Sequence, residues 1–200
     1  MSETFSERRI DVDGAQFCCF EYGTGDTLVS LHADAVTGPT ALERLLAAKF
    51  RVMALEIPAL VTDAKTGSQR LAKGLDLLAI RKYALIASGT TAAMALAHAA
   101  DASPESLVLL SPVGPLGSAE AHLGEIAAPT LILIGTKDNP ATAAVGRACE
   151  RIPDSYPMLV YEADSGMAAE RPEALYEAVA DFIERHGRFI LERQNSVVSR

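Results

Sequence analysis

Short apolar runs separated by helix-length segments recur along this chain: TLVSL (27–31), RVMALEI (51–57), YALIA (83–87), SLVLL (106–110), TLILI (130–134) and PMLVY (157–161). The runs are uninterrupted rather than alternating, which suits strands covered on both faces. The segments between them carry helical spacing, with Leu42, Leu45 and Leu46 in the first and Leu71, Leu75 and Leu78 in the second. In the last segment Pro172 suits a first helical turn, Leu175, Val179, Phe182 and Ile183 share one face, and Gly187 is placed to stop the helix. Repetition of this kind predicts an α/β fold, a mostly parallel sheet with helices on both faces. Ahead of it, RRIDV and AQFCCFEYG flank Asp13-Gly14, the signal of an N-terminal antiparallel hairpin.

The chain of 200 residues fits a single domain over 1–187 followed by a tail, 188–200. Apolar residues make up 49% and charged residues 22%, which fits an ordered core and argues against disorder. Against 26 Asp and Glu stand 18 Lys and Arg, a net charge of −8 with no basic run. Nucleic acid and anionic membranes are therefore poor partners. Cys18, Cys19 and Cys149 are too few for a disulfide framework, and the adjacent pair faces opposite sides of a strand. Free thiols in a reducing compartment are the simpler reading. The polar N-terminus lacks an apolar signal core and no run reaches membrane-spanning length, so a cytoplasmic protein is expected.

Residues 83–97, YALIASGTTAAMALA, read as a buried strand, a tight turn and a buried helix. They resemble the nucleophile elbow of the α/β-hydrolase family, in which a strand ends in G-x-S-x-G and an apolar helix follows. Without a gap, the family's first glycine falls on Ala87, its serine on Gly89 and its last glycine on Thr91. The resemblance extends over roughly residues 10–187. GTGDTLVSLHA resembles the stretch ending in His-Gly, with His32 matching and Ala33 replacing the glycine. Glu56-Ile57-Pro58-Ala59 stands where the family often has Asp-x-Pro-Gly. IAAPTLILIGTKD resembles the penultimate strand with its acid-bearing loop and places Asp138 on the usual catalytic acid. AERPEAL resembles the entry to the last helix, and counting back from it puts Ser165 or Met167 at the catalytic histidine.

The resemblance implies a hydrolase frame in which only Asp138 remains of the Ser-His-Asp triad, and an acid alone activates nothing. Too few residues follow Ser111 for the family's helical cap. One short helix around Ala119 to Ile126 is expected there, with an open cleft at the carboxyl ends of the strands. His32, Ala33, Asp34, Ser88, Thr90 and Ser111 are the candidates to line that cleft. Ser88 reads either as an ordinary strand-end serine or as a displaced nucleophile, and His32 either as a structural histidine bonding loop backbone or as its base. His98, His122 and His186 lie away from the turn after PMLVY, and no two histidines share a metal-binding spacing, so neither metal nor cofactor is expected. Two functions follow: a non-catalytic homologue that binds a small molecule or a protein partner, or an atypical esterase or lyase working through Ser88 and His32. Phe189, Ile190 and Leu191 make the tail apolar, which suits packing on the body or a homodimer contact.

Overall fold

The computed structural model describes residues 6–33, 36, 38–57 and 63–185. The tail 188–200, His186, Gly187, Pro58, Ala59 and Asp34 lie outside the described residues. The strands are β1 (Ser6–Val12), β2 (Ala15–Tyr22), β3 (Thr27–His32), β4 (Arg51–Glu56), β5 (Ala84–Ser88), β6 (Ser106–Leu110), β7 (Thr130–Gly135) and β8 (Ser155–Val160). The helices are α1 (Ala41–Leu46), α2 (Ala64–Leu77), α3 (Ala92–Ala102), α4 (Pro140–Cys149), α5 (Met167–Glu170) and α6 (Pro172–Arg185). The strands form one 8-stranded sheet in the order β1-β2-β4-β3-β5-β6-β7-β8. β2 runs antiparallel to β1 and β4, and every other pairing is parallel.

The expected hairpin is present. Asp13 and Gly14 both take left-handed φ, 52° and 76°, and join strands that close at the Val12–Ala15 pair. Two successive positive φ values match the right-handed twist of the flanking strands. Along each inner strand the pleat sends alternate side chains to two cores. Val29, Leu31, Met53, Leu55, Leu85 and Leu107 join the core beneath α2 and α3. Leu28, Val52, Ile86, Val108 and Leu131 join the core beneath α1 and α6. Cys18 and Cys19 divide between the two in the same way.

One expectation needs correction. PMLVY is not covered on both faces: β8 turns Tyr156, Met158 and Val160 inward, while Pro157 is exposed and Leu159 is 70% exposed. Helix α4 packs over β7, where Gly146 gives room to the Ile134 side chain. Pro157 explains why the strand can end the sheet. Thr130 and Thr136 donate to the carbonyls of Asp154 and Val160, so even-numbered residues of β8 face β7 and the Pro157 nitrogen faces outward. No ladder bond is lost there. The short helix expected around Ala119 to Ile126 in place of a cap is present as a 3₁₀ helix, Gly117–Glu125. Gly117 and Gly124 weaken an α-helix of that length, while Ala119 and Leu123 still anchor the segment in the core.

Candidate functional site

β5 runs straight into a tight turn whose apex is Gly89, with φ +56°. A 3₁₀ turn, Gly89–Thr91, then feeds α3. Gly89 is half-buried at the carboxyl end of the sheet, at the apex of a sharp strand-to-helix turn, which is the backbone geometry of a nucleophile elbow. A Cβ built on Gly89 would meet only Val113 Cγ2, at 3.7 Å, an ordinary contact. The turn therefore has room for a side chain and carries none. Thr91 holds its shape: the Oγ1 accepts from the Ser88 backbone N–H at 3.1 Å and donates to the Ser88 carbonyl at 2.9 Å. The threonine that replaces the family's last glycine is thus buried and bonded within the turn.

Asp138 follows β7, on the loop expected for a catalytic acid. Its Oδ2 accepts from Ser111 Oγ at 2.8 Å and from the Gly135 backbone N–H at 2.7 Å. Ser111 is fully buried, with Met167 Sδ 4.0 Å from its hydroxyl, so its expected place in an open cleft is corrected: it faces the interior and Asp138. Gly135 is obligatory here, because a Cβ on it would lie 2.2 Å from the Ala163 carbonyl oxygen. Met167 is buried at the start of α5 and Ser165 is exposed just before it. Among the described residues no histidine bonds Asp138. His98 pairs with Tyr83 Oη at 2.5 Å and His122 with Glu125 at 3.0 Å.

His32 lies elsewhere, held by side chains at its Nε2. Its Nε2 is 2.7 Å from Glu43 Oε1 and 3.3 Å from Ser30 Oγ. Glu43 is buried at the third position of α1, where it closes a capping box: its Oε2 accepts from the Thr40 N–H at 2.8 Å, and Thr40 Oγ1 accepts from the Glu43 N–H at 3.2 Å. Burial pushes the Glu43 carboxyl pKa up, but the hydrogen bond and charge of His32 and the Thr40 N–H outweigh it and leave the group below the usual value. Glu43 is thus an ionised, acceptor-only carboxylate, which makes His32 Nε2 the donor and leaves Nδ1 for other partners.

The register brings Ser88 beside this pair. Leu31 pairs with Ala87, so His32 and Ser88 come next on adjacent parallel strands and point to the same face of the sheet. Both line a pocket of about 90 Å³ beneath α1, together with Ser30, Thr40 and Glu43. Thr90 opens instead onto a cleft of about 300 Å³ on the opposite face, with Met94, Pro115 and Leu116. Ala33 is exposed after β3. The site is therefore two openings on either side of one turn. Glu43 is the residue that sequence reasoning missed. Its signal was Thr40-Ala41-Leu42-Glu43, the spacing of a capping box.

No protein-family model matches this chain, and no curated protein does. Solved structures do. Carboxylesterase CesB from Bacillus subtilis is similar at a TM-score of 0.76 and 13% identity, over 91% of this chain and 92% of that one. Naproxen esterase from Bacillus subtilis is similar at 0.74 and 15%, over 90% and 92%. A predicted CIB-like hydrolase from Thermoplasma acidophilum is similar at 0.76 and 16%, over 91% and 99%. The chain has the α/β-hydrolase fold, and at these identities the likeness concerns the fold alone. Among the described residues no helix is long and apolar enough to cross a membrane.

Proposed function

We propose that this chain uses the α/β-hydrolase frame to bind a small molecule or a protein partner, without ester hydrolysis at the elbow. The observation that carries this reading is the engagement of Asp138: one carboxylate oxygen takes both Ser111 Oγ and the Gly135 N–H. In a working triad that acid orients a histidine, which in turn activates the serine. Here Gly89 has no hydroxyl to activate, and the candidate histidine positions hold Ser165 and Met167. The net charge of −8 agrees with a partner other than nucleic acid. A fluorophosphonate probe, which reacts with serines activated by a base, should leave the folded protein unlabelled. Stoichiometric labelling mapped to Ser88 would overturn the reading.

One observation favours a second reading, an atypical hydrolase in which Ser88 is the nucleophile, His32 the base and Glu43 its orienting acid. The register sets Ser88 beside His32, and Glu43 holds the ring at Nε2. A nucleophile, a base and a group that orients the base are the parts such chemistry needs. Labelling at Ser88 that disappears in His32→Ala would establish this version in place of the first.

A further inference from the structure

The last strand leaves an apolar strip uncovered. Pro157 and Leu159 lie on the outer face of β8, Leu159 is 70% exposed, and Tyr161, two residues further on, is 74% exposed. Large apolar side chains grouped in this way mark a contact surface. A second protein is a poor occupant. A whole aromatic side chain offers about 150–250 Å², so this strip falls well short of the about 800 Å² that each partner brings to a stable complex. A segment tethered beside the strip needs far less area, because its effective concentration is already on the order of millimolar.

The chain leaves α6 at that place. Phe182, in the last turn, packs edge-on against Tyr156 on the inner face of β8, with ring centroids 5.7 Å apart. Arg185 ends the helix three residues later, so the segment after it starts beside the rim strand. That segment opens with the run Phe189-Ile190-Leu191. The six residues from Arg185 to Leu191 span up to about 20 Å, enough to pass one strand and reach its other face. Charge agrees with the placement. Residues 188–200 hold three arginines against one glutamate, in a chain of net charge −8. Glu150 stands exposed at the near end of β8, where its carbonyl accepts from Ser155 Oγ at 3.3 Å, and its neighbour Arg151 is already paired with Glu120.

We propose that residues 188–200 round the β8 rim of their own subunit and seat Phe189, Ile190 and Leu191 on Pro157 and Leu159. Arg188 and Arg193, on either side of that run, bring positive charge toward Glu150. The segment is a strap over the face of β8 that no helix covers. It is held by its own subunit rather than by a second copy, and it stands apart from the reading of the elbow.

The test is the accessibility of a thiol placed in the strip. Leu159→Cys is made in the full chain, and its reaction with iodoacetamide is followed by mass spectrometry of the peptides. Mapping separates the new thiol from Cys18, which is partly exposed, and from the buried Cys19 and Cys149. The comparison is the same variant carrying Phe189→Asp, Ile190→Asp and Leu191→Asp. The expected result is labelling roughly tenfold slower with the apolar run intact, at a rate independent of protein concentration. In a second set, Leu159→Cys is combined in turn with Phe189→Cys, Ile190→Cys and Leu191→Cys. Mild oxidation should close a disulfide within one chain in at least one of the three. Equal labelling rates with and without the aspartates would overturn the proposal, as would the absence of any such disulfide. Protection that grows with protein concentration, or a disulfide joining two chains, would overturn it too, because the segment would then lie on a second copy.

Discussion

Placing a side chain at the apex of the turn tests whether the backbone there has the geometry of a nucleophile elbow. The perturbation is Gly89→Ala, with Gly89→Ser as its polar partner. At φ +56° an L-residue costs about 1–2 kcal/mol relative to glycine. The smaller conformational freedom of alanine in the unfolded chain offsets roughly 0.4–1 kcal/mol of that. Packing adds nothing, because the new Cβ would sit 3.7 Å from Val113 Cγ2. The net expectation is a loss of about 1 kcal/mol, or about 2–4 °C in melting temperature for a chain of this size. Gly135→Ala is the control. Its Cβ would lie 2.2 Å from the Ala163 oxygen and 2.6 Å from the Ala163 carbonyl carbon, so backbone must move and the cost should exceed about 3 kcal/mol. Urea unfolding followed by far-ultraviolet circular dichroism gives both numbers. If Gly89→Ala costs as much as Gly135→Ala, the turn has no room and the elbow geometry is refuted. A stabilising Gly89→Ala would show that the residue is not left-handed.

Asp138→Ala should cost about 2 kcal/mol, since Ser111 Oγ and the Gly135 N–H lose their acceptor, and should leave any background turnover of p-nitrophenyl acetate unchanged. A fall in turnover together with unchanged stability would instead give the carboxylate a chemical role. Stability should also depend on His98, whose pKa is depressed chiefly by burial, against weaker opposition from the Ser68 backbone and Asp101. The fold disfavours its charged form, so the unfolded chain binds more protons. Its contribution is therefore complete above the ordinary value of 6.5 and is lost as pH falls from there through the depressed value. Urea midpoints from pH 8 to pH 5 should fall less steeply in His98→Gln than in the parent chain. Equal slopes would defeat the assignment.

The apolar runs made most of the sheet legible because an inner strand needs apolar side chains on both faces and announces it in sequence. β8 misled for an equally physical reason. Met158 and Val160 satisfy one face, and only Pro157 hints that the strand has an outer edge. The turn at Gly89 could be placed because strand, apex and alanine-rich helix are contiguous. Asp138 could be placed too, but its partner could not: Ser111 and Asp138 are brought together by β6 and β7, and nothing local marks the contact. Glu43 was obscured by the leucines around it. Helical spacing ranks Leu42 and Leu46 as inward positions and treats a carboxylate between them as solvated, yet this one is buried because His32 reaches it from a neighbouring strand.

The two rims of the sheet carry a consequence for self-association. At one rim Pro157 presents no N–H to an incoming strand. At the other, β1 presents Glu7, Arg8, Arg9 and Asp11, charges that must be matched or desolvated before another strand can pair there. Copies of this chain are thereby discouraged from adding strand to strand at either rim, the first step from a crowded solution to a fibre.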